Sequence, residues 1–209
     1  MLFALSIASC GVRKVRTENI GGRGVAAPSA NRFGQVSPTT AQAVSEEIGQ
    51  YLSEGDQIID GGACTVGVES TIIDCTGDAP RILRPGAITD AMIEQSTGLT
   101  VAKTGSTFTD TEIRVSGSLE NHYAPAAAVL LCETPLPGQG FIALASIQTP
   151  PGVIRLASPV DDHEFAQVLY SALREADAQG LREVVVTQPI GTGIAVAIRD
   201  RLARAANGR

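Results

Sequence analysis

An apolar stripe at helical spacing runs through HEFAQVLYSALREADAQG (residues 163–180), and the strand-like EVVVTQ (183–188) follows directly. Phe165, Leu169 and Leu173 recur every four residues, so they share one helix face, while charged residues occupy the other. Four further segments extend this alternation of strand and helix patterns: AVLLCE (128–133), FIALAS (141–146), GVIRLAS (152–158) and GIAVAIRDRLARAA (193–206). Strands that alternate with helices predict a small α/β layer structure.

Shorter elements are predicted upstream of this region. Ser37-Pro38 is a helix start, because Ser caps free N–H groups and Pro suits the first turn. Val44 and Ile48 then share a face, and Gly55 ends the helix. Three strands and a short helix follow, namely QIID (57–60), VESTIIDC (68–75), RILR (81–84) and a helix capped by Thr89 that ends at Gly98.

The chain changes character at residues 102–126, which are polar and contain Gly, Ser and Thr throughout. Such a composition is typical of a linker between packed units. We therefore predict one domain at residues 1–113, a linker at 114–126 and a second domain at 127–209.

Composition and charge narrow the functional classes. Of the 209 residues, 44% are hydrophobic and 18% are charged, which is enough to build a core. The net charge of −6 argues against a broad nucleic-acid footprint, because phosphate backbones attract Lys and Arg. The four cysteines form no CxxC pair, which favours reduced thiols in a cytoplasmic protein. No apolar run approaches the ~20 residues that span a bilayer.

Small and hydroxyl-bearing residues fill PSANRFGQVSPTTA (28–41), a composition that a packed core does not need. Small residues let the backbone approach a ligand, and Ser29 and Ser37 offer hydroxyl groups. Ser37 also stands at the predicted helix start, where unpaired N–H groups favour anions. The alternative is that Ser37 is a helix cap and nothing more.

Three further clusters carry polar groups beside glycine or proline. In DGGACTVGVESTIIDC (60–75), glycines permit close backbone approach before Glu69-Ser70-Thr71, although an ordinary hairpin has the same pattern. In ILRPGAIT (82–89), Arg84 is held extended by Pro-Gly and can point at a phosphate, or it is a solvated surface residue. In NHYAP (121–125), Tyr123 either stacks on a base or anchors the linker.

Taken in order, SANRFGQVSPTTA, DGGACTVGVESTIID, ILRPGAIT and SGSLENHYAP make the chain resemble the YrdC-like family of threonylcarbamoyl-AMP synthases. The resemblance covers about residues 25–209, and the last motif and the ending GIAVAIRDRLARAA are similar to the two-domain branch. It implies the C-terminal half of a YrdC-like twisted α/β domain, a linker, and a small Rossmann-like α/β domain.

The resemblance also implies an activity. Members use ATP, L-threonine and bicarbonate to make threonylcarbamoyl-AMP and pyrophosphate, and the product serves the threonylcarbamoyladenosine modification of tRNA. Mg²⁺ is expected beside the triphosphate, with no ligand for it evident in the sequence. By the same resemblance, the ATP contacts are Ser29, Ser37, Arg84 and Tyr123, the threonine contacts are Ala27 and Ser70, and the loop-shaping residue is Asn31.

The sequence departs from the family pattern near its start. Full-length members have a longer N-terminal half with a Lys-x-Arg motif, and Lys14-Val15-Arg16 is interpreted as a chance match to it. Phe33 replaces the second serine of the family's SANxSG motif. We therefore expect a truncated member whose exposed sheet edges favour self-association or pairing with another chain.

Three alternatives stay open. The chain is a catalytically inactive fragment, or it is a noncatalytic regulatory module that binds tRNA or double-stranded RNA. A hydrolase with Cys64 or Ser70 as its nucleophile is the third, and neither residue has a sequence-visible His partner.

Overall fold

The computed structural model describes residues 2–3, 29–32, 34–102, 124–131 and 134–207. We call residues 29–102 the N-terminal half and residues 124–207 the C-terminal half. In chain order up to residue 102, the elements are β1 (Leu2–Phe3), α1 (Ala41–Ile48), β2 (Gln57–Ile58), β3 (Ile72–Asp74), β4 (Arg81–Arg84) and α2 (Asp90–Thr97). The C-terminal half contains β5 (Ala128–Leu131), β6 (Gly140–Ile142), β7 (Ile154–Ala157), α3 (Asp162–Ala178), β8 (Glu183–Val186) and α4 (Ile194–Ala206).

The C-terminal half is a four-stranded parallel sheet with the strand order β5-β8-β6-β7. Helices α3 and α4 cover one face of it, where Phe165, Leu169 and Ile198 pack with Ile142 and Val184 in one buried cluster. The expected α/β layer structure is therefore confirmed. All six elements predicted for this half are present, with ends shifted by a few residues.

Arg155 covers part of the opposite face of this sheet. Its guanidinium lies 4.9 Å from the centroid of the Phe141 ring. It also donates hydrogen bonds to the carbonyl oxygens of Ala143 (2.6 Å), Leu144 (2.9 Å) and Ile147 (3.1 Å). The loop after β6 is thereby folded back over the buried side chains Phe141 and Val185.

The strands before residue 102 are short, with two to four residues each. β1 pairs in parallel with β2, and β3 pairs antiparallel with β4, with an irregularity between Ile72 and Ile73. Thr89 caps α2 by accepting a hydrogen bond from the Met92 N–H, and Gly98 ends it in the left-handed conformation (φ 71°). Both ends of α2 are as predicted.

The predicted start of α1 at Ser37-Pro38 is wrong, and so is its predicted end at Gly55. The helix begins at Ala41, and the Thr40 side chain caps it by accepting from the Ala43 N–H at 3.1 Å. It ends at Ile48 and continues as one turn of 3-10 helix over Gly49–Tyr51. Ser37 lies four residues before the helix, because its hydroxyl is engaged elsewhere in the fold.

The two halves share a core. Val36 and Val68 from the N-terminal half belong to the same buried cluster as Phe165 and Ile198. Gly67 has φ +80° and lies so close to α3 that an added Cβ would stand 2.1 Å from the Ala166 carbonyl oxygen. The two halves can therefore pack this closely only because residue 67 is a glycine and has no Cβ. Within the described ranges, no helix is long and apolar enough to cross a membrane.

Candidate functional site

The side chain of Arg84, the last residue of β4, contacts the backbone at Ser70, just before β3. The Arg84 side chain donates from Nε (3.0 Å) and Nη2 (2.8 Å) to the Ser70 carbonyl oxygen. Arg84 is only 8% exposed, so its interpretation as a solvated surface residue is wrong. A forked guanidinium on one carbonyl holds the arginine in a fixed direction.

Gly86 allows this approach of β4 to the segment before β3. A Cβ at Gly86 would meet backbone atoms only, at 2.4 Å from Thr71 N and 2.5 Å from Glu69 O. Thr71 adds a hydrogen bond from its hydroxyl to the Ile88 carbonyl oxygen at 2.6 Å. The glycine of the Pro-Gly sequence after Arg84 is thus required by the close packing of two backbones.

Ser37 is buried, with 1% of its surface exposed, and donates its hydroxyl to Glu69 Oε1 at 2.8 Å. We call residues 29–32 and 34–40, which contain Ser29 and Ser37, the serine-rich loop. Because Glu69 directly precedes Ser70, this loop and the Glu-Ser-Thr segment (69–71) are joined at the Glu69 carboxylate. Two of the predicted site residues, Ser37 and Arg84, therefore bond to neighbouring residues of one segment, Ser37 to the Glu69 carboxylate and Arg84 to the carbonyl oxygen of Ser70, the third. Their roles toward ligands stay predictions.

The other predicted site residues are distributed around the same loop. Ser29 is exposed, and the Asn31 side chain donates to the carbonyl oxygens of Arg32 and Gln35, both at 3.0 Å. This bridging holds the shape of the loop locally. Ala27 and Tyr123 lie outside the described residues.

The end of the predicted linker reaches the same loop. The Ala124 N–H donates to the Gly34 carbonyl oxygen at 3.2 Å. The following N–H groups of Ala126 and Ala127 both donate to the Asp177 carboxylate at 3.0 Å, which fixes where the linker joins the C-terminal half. The residue that follows Tyr123 is therefore anchored beside the serine-rich loop.

Sequence reasoning missed a buried cluster at this place, formed by Glu69, Tyr170 and Arg201. Glu69 Oε2 accepts from Arg201 Nε at 2.7 Å and from the Tyr170 hydroxyl at 2.9 Å. Arg201 also donates to the Pro85 carbonyl oxygen at 2.9 Å and pairs with Asp200. Its side chain is fully buried.

A signal for Arg201 was present in the helix pattern. Ile198, Leu202 and Ala205 form the buried face of α4, and Arg201 occupies the same face at helical spacing. A charged residue on an apolar stripe requires a buried partner. The sequence could have shown that such a partner exists, although not which carboxylate it is.

Glu47, a buried residue of α1, forms a second ion-pair cluster between the halves, in which the Arg32 side chain is 54% exposed. It accepts from Arg32 Nε at 2.9 Å and from Arg174 Nη2 at 3.2 Å, and Arg174 also donates to the Val36 carbonyl oxygen at 2.6 Å. Burial alone raises the pKa of Glu47, but hydrogen bonds from Arg32 and the charge of Arg174 lower it by more. The pKa of Glu47 therefore lies below its usual value of 4.5.

This pKa predicts how acid affects stability. A carboxyl group whose pKa is lowered by folding stabilises the protein above its unfolded pKa, and the stabilisation is lost as the pH falls through the folded pKa. We expect Glu47→Gln to unfold more easily than the original chain at about pH 7, and the difference to shrink below about pH 4. Urea unfolding at several pH values measures it. A difference that stays constant down to about pH 2.5 would contradict the lowered pKa.

Two family models match adjoining stretches of the chain. The model described as threonylcarbamoyl-AMP synthase, C-terminal domain, matches residues 88–207, which is more than half of the chain. The model described as telomere recombination matches residues 4–86. Together they cover both halves and all the buried clusters described above.

Individual relatives agree with these matches. A threonylcarbamoyl-AMP synthase of Bacillus subtilis is 32% identical over 202 residues, which are 88% of this chain and 58% of the relative. One of Pyrococcus abyssi is 33% identical over 208 residues, covering 90% of this chain and 59% of the relative. The crystal structure of P. abyssi Sua5 complexed with L-threonine matches with a TM-score of 0.72 and 31% identity, over 91% of this chain and 60% of that one. The chain thus spans about three fifths of the length of these relatives, and it belongs to the threonylcarbamoyl-AMP synthase family.

Proposed function

We propose that this chain carries ATP- and L-threonine-binding elements of a threonylcarbamoyl-AMP synthase and takes part in forming threonylcarbamoyl-AMP from ATP, L-threonine and bicarbonate. The product would serve the threonylcarbamoyladenosine modification of tRNA. The observation that carries the proposal is that Ser37 and Arg84, from two separate motifs, both bond to the Glu69-Ser70 segment of a third motif. Ser37 donates to the Glu69 carboxylate, and Arg84 donates to the Ser70 carbonyl oxygen. The Pyrococcus relative crystallised with L-threonine supports the amino-acid substrate.

The proposed reaction suits a site that offers hydrogen-bond donors and positive charge. The threonine amine condenses with bicarbonate to a carbamate, with loss of one water. An oxygen of the carbamate then attacks the α-phosphorus of ATP, and pyrophosphate leaves. This reaction needs alignment and neutralised charge more than a protein nucleophile. Arg84 fits that requirement, because its guanidinium is fixed by Ser70 and carries five N–H donors in total.

The proposed contact of Ser37 with ATP depends on the hydrogen bond that its hydroxyl already makes. A hydroxyl has one proton, and that of Ser37 is donated to Glu69. An ATP oxygen can receive this proton only if the bond to Glu69 is exchanged. Otherwise Ser37 supports the nucleotide site by fixing its loop.

Mg²⁺ is proposed as a companion of ATP. Mg²⁺ in nucleotide sites keeps several waters and is held largely by the phosphates. In the part of the chain that the structure describes, no three His, Cys, Asp or Glu side chains are grouped to hold a metal ion. We therefore assign its binding to the triphosphate.

The decisive experiment measures pyrophosphate release with ATP in the presence and absence of L-threonine and bicarbonate. Release that requires both co-substrates supports synthesis. Calorimetry with ATP and L-threonine separately tests the binding elements, and absence of both binding signals at millimolar concentration refutes the proposal. An RNA-binding module would instead retard tRNA in a gel in a salt-sensitive manner. Cys64, buried against Ala30 and Val44, gives no support to the hydrolase alternative.

Arg84 offers a sharp test of the nucleotide site. We expect Arg84→Gln to raise the Kd for ATP by about tenfold or more, because it removes a charge-assisted donor to phosphate. Arg81 lies on the same strand and pairs with Asp74 at 3.1 Å, so Arg81→Gln is the matched control, with an expected change within about twofold. Isothermal calorimetry measures both. Equal Kd values for Arg84→Gln and the original chain would remove Arg84 from the ATP site.

A further inference from the structure

One guanidinium in the C-terminal half holds both backbone segments that carry predicted site residues. Arg201 Nε donates to Glu69, the residue before Ser70, at 2.7 Å. Arg201 Nη2 donates to the carbonyl oxygen of Pro85, the residue after Arg84, at 2.9 Å. The planar fork of arginine suits this task, since it reaches two acceptors in fixed directions.

Glu69 connects this guanidinium to the serine-rich loop. Its carboxylate accepts from Ser37, Tyr170 and Arg201 and is 7% exposed. A buried carboxylate requires a nearby positive charge, and Arg201 supplies it here. Loss of that charge would leave the Glu69 carboxylate buried without its cation, so the carboxylate would have to move. Such a movement would displace the acceptor that holds the Ser37 hydroxyl.

Arg155 shows what a purely structural arginine looks like in the same half. It donates to the carbonyl oxygens of Ala143, Leu144 and Ile147, all within the C-terminal half. The hydrogen bonds from Arg201 to Glu69 and to the Pro85 carbonyl oxygen instead reach across to the segments around Ser70 and Arg84. The two arginines can therefore separate a general loss of stability from a loss of site geometry.

We propose that Arg201, acting through Glu69 and the Pro85 carbonyl, is a positioning residue for the ATP and L-threonine site. Docking of the C-terminal half then fixes the relative placement of Ser37, Ser70 and Arg84. The identity of the ligands rests on the proposed function, whereas the geometric effect on these segments does not.

Hydrogen exchange tests the geometric effect in the full chain. Arg201→Lys keeps the charge but cannot reach both acceptors, and Arg201→Met removes the charge as well. We expect amide exchange at residues 68–71 and 84–87 to accelerate by about tenfold in Arg201→Lys, equivalent to one hydrogen bond to a charged group. Arg155→Met should accelerate exchange at residues 143–150 and leave 68–71 unchanged. Unaltered exchange at 68–71 and 84–87 in both Arg201 variants overturns the proposal.

Ligand affinity supplies the readout that a merely structural role would not move. At conditions where all variants are folded, Arg201→Lys should raise the calorimetric Kd for ATP and L-threonine by about tenfold, and Arg155→Met by less than about twofold. Equal effects of the two variants overturn the positioning role. Failure of the original chain to bind either ligand refutes the proposed function, and exchange at 68–71 then decides the role of Arg201 alone.

Discussion

Gly67→Ala is expected to lower the free energy of unfolding by about 3 kcal/mol or more, whereas Gly62→Ala costs about 1 kcal/mol. Both glycines have positive φ, +80° at Gly67 and +87° at Gly62, so an alanine at either pays the same backbone strain. The surroundings differ. A Cβ at Gly62 meets nothing within 4 Å, while one at Gly67 lies 2.1 Å from Ala166 O and 2.4 Å from Gln167 Cα.

The atoms that obstruct a side chain at position 67 belong to the backbone of α3, which cannot move aside alone. The helix would shift as a unit, and the hydrogen bond from Gln167 Nε2 to the Thr65 carbonyl oxygen (2.6 Å) would be lost with the contact. Urea unfolding of both variants measures the difference. A similar loss of stability at the two positions would show that the halves do not pack as closely as the structure has them.

The elements that were predicted well from the sequence are those whose ends are set by residues nearby in the sequence. Helix α2 is one, because its cap Thr89 and its final Gly98 lie at its own ends. Helix α1 is the opposite case. Ser37 has a good capping side chain, yet that hydroxyl bonds to Glu69, 32 residues away, and Thr40 becomes the cap. A local pattern cannot show that a distant carboxylate competes for the same hydroxyl.

The residues of the candidate site also differ in how far the sequence could predict their contacts. Asn31 bridges carbonyl oxygens within its own loop, so a motif identifies it directly. Arg84 was singled out by its place before Pro-Gly, and its role toward ATP stays a prediction. The sequence could not distinguish a buried from a solvated guanidinium, and the structure shows that Arg84 is buried. Arg201 and Glu69 are 132 residues apart, and only the docking of α4 brings them together. Long-range pairs of this kind depend on tertiary packing.

Glu69→Ala is the second change with a large expected effect. Removing one partner of a buried ion pair costs about 3–5 kcal/mol, because the other charge stays buried. We expect a value near 3 kcal/mol, the lower end of that range, since Asp200 still accepts from Arg201. Ser37 and Tyr170 would lose their shared acceptor at the same time. Glu46, an exposed residue of α1, provides the control, and Glu46→Ala should stay within about 0.5 kcal/mol.

The double variant Glu69→Leu/Arg201→Leu distinguishes the charge from the packing. If the cost of Glu69→Ala arises from the loss of the Glu69 charge beside buried Arg201, removing both charges should cost clearly less than the sum of Glu69→Leu and Arg201→Leu. Urea unfolding of the four chains at neutral pH gives the coupling free energy. Additive losses would mean that the two side chains stabilise the fold independently. The contact between α4 and the segment before Ser70 would then owe its stability to Val68 and the apolar face of α4 instead of the ion pair.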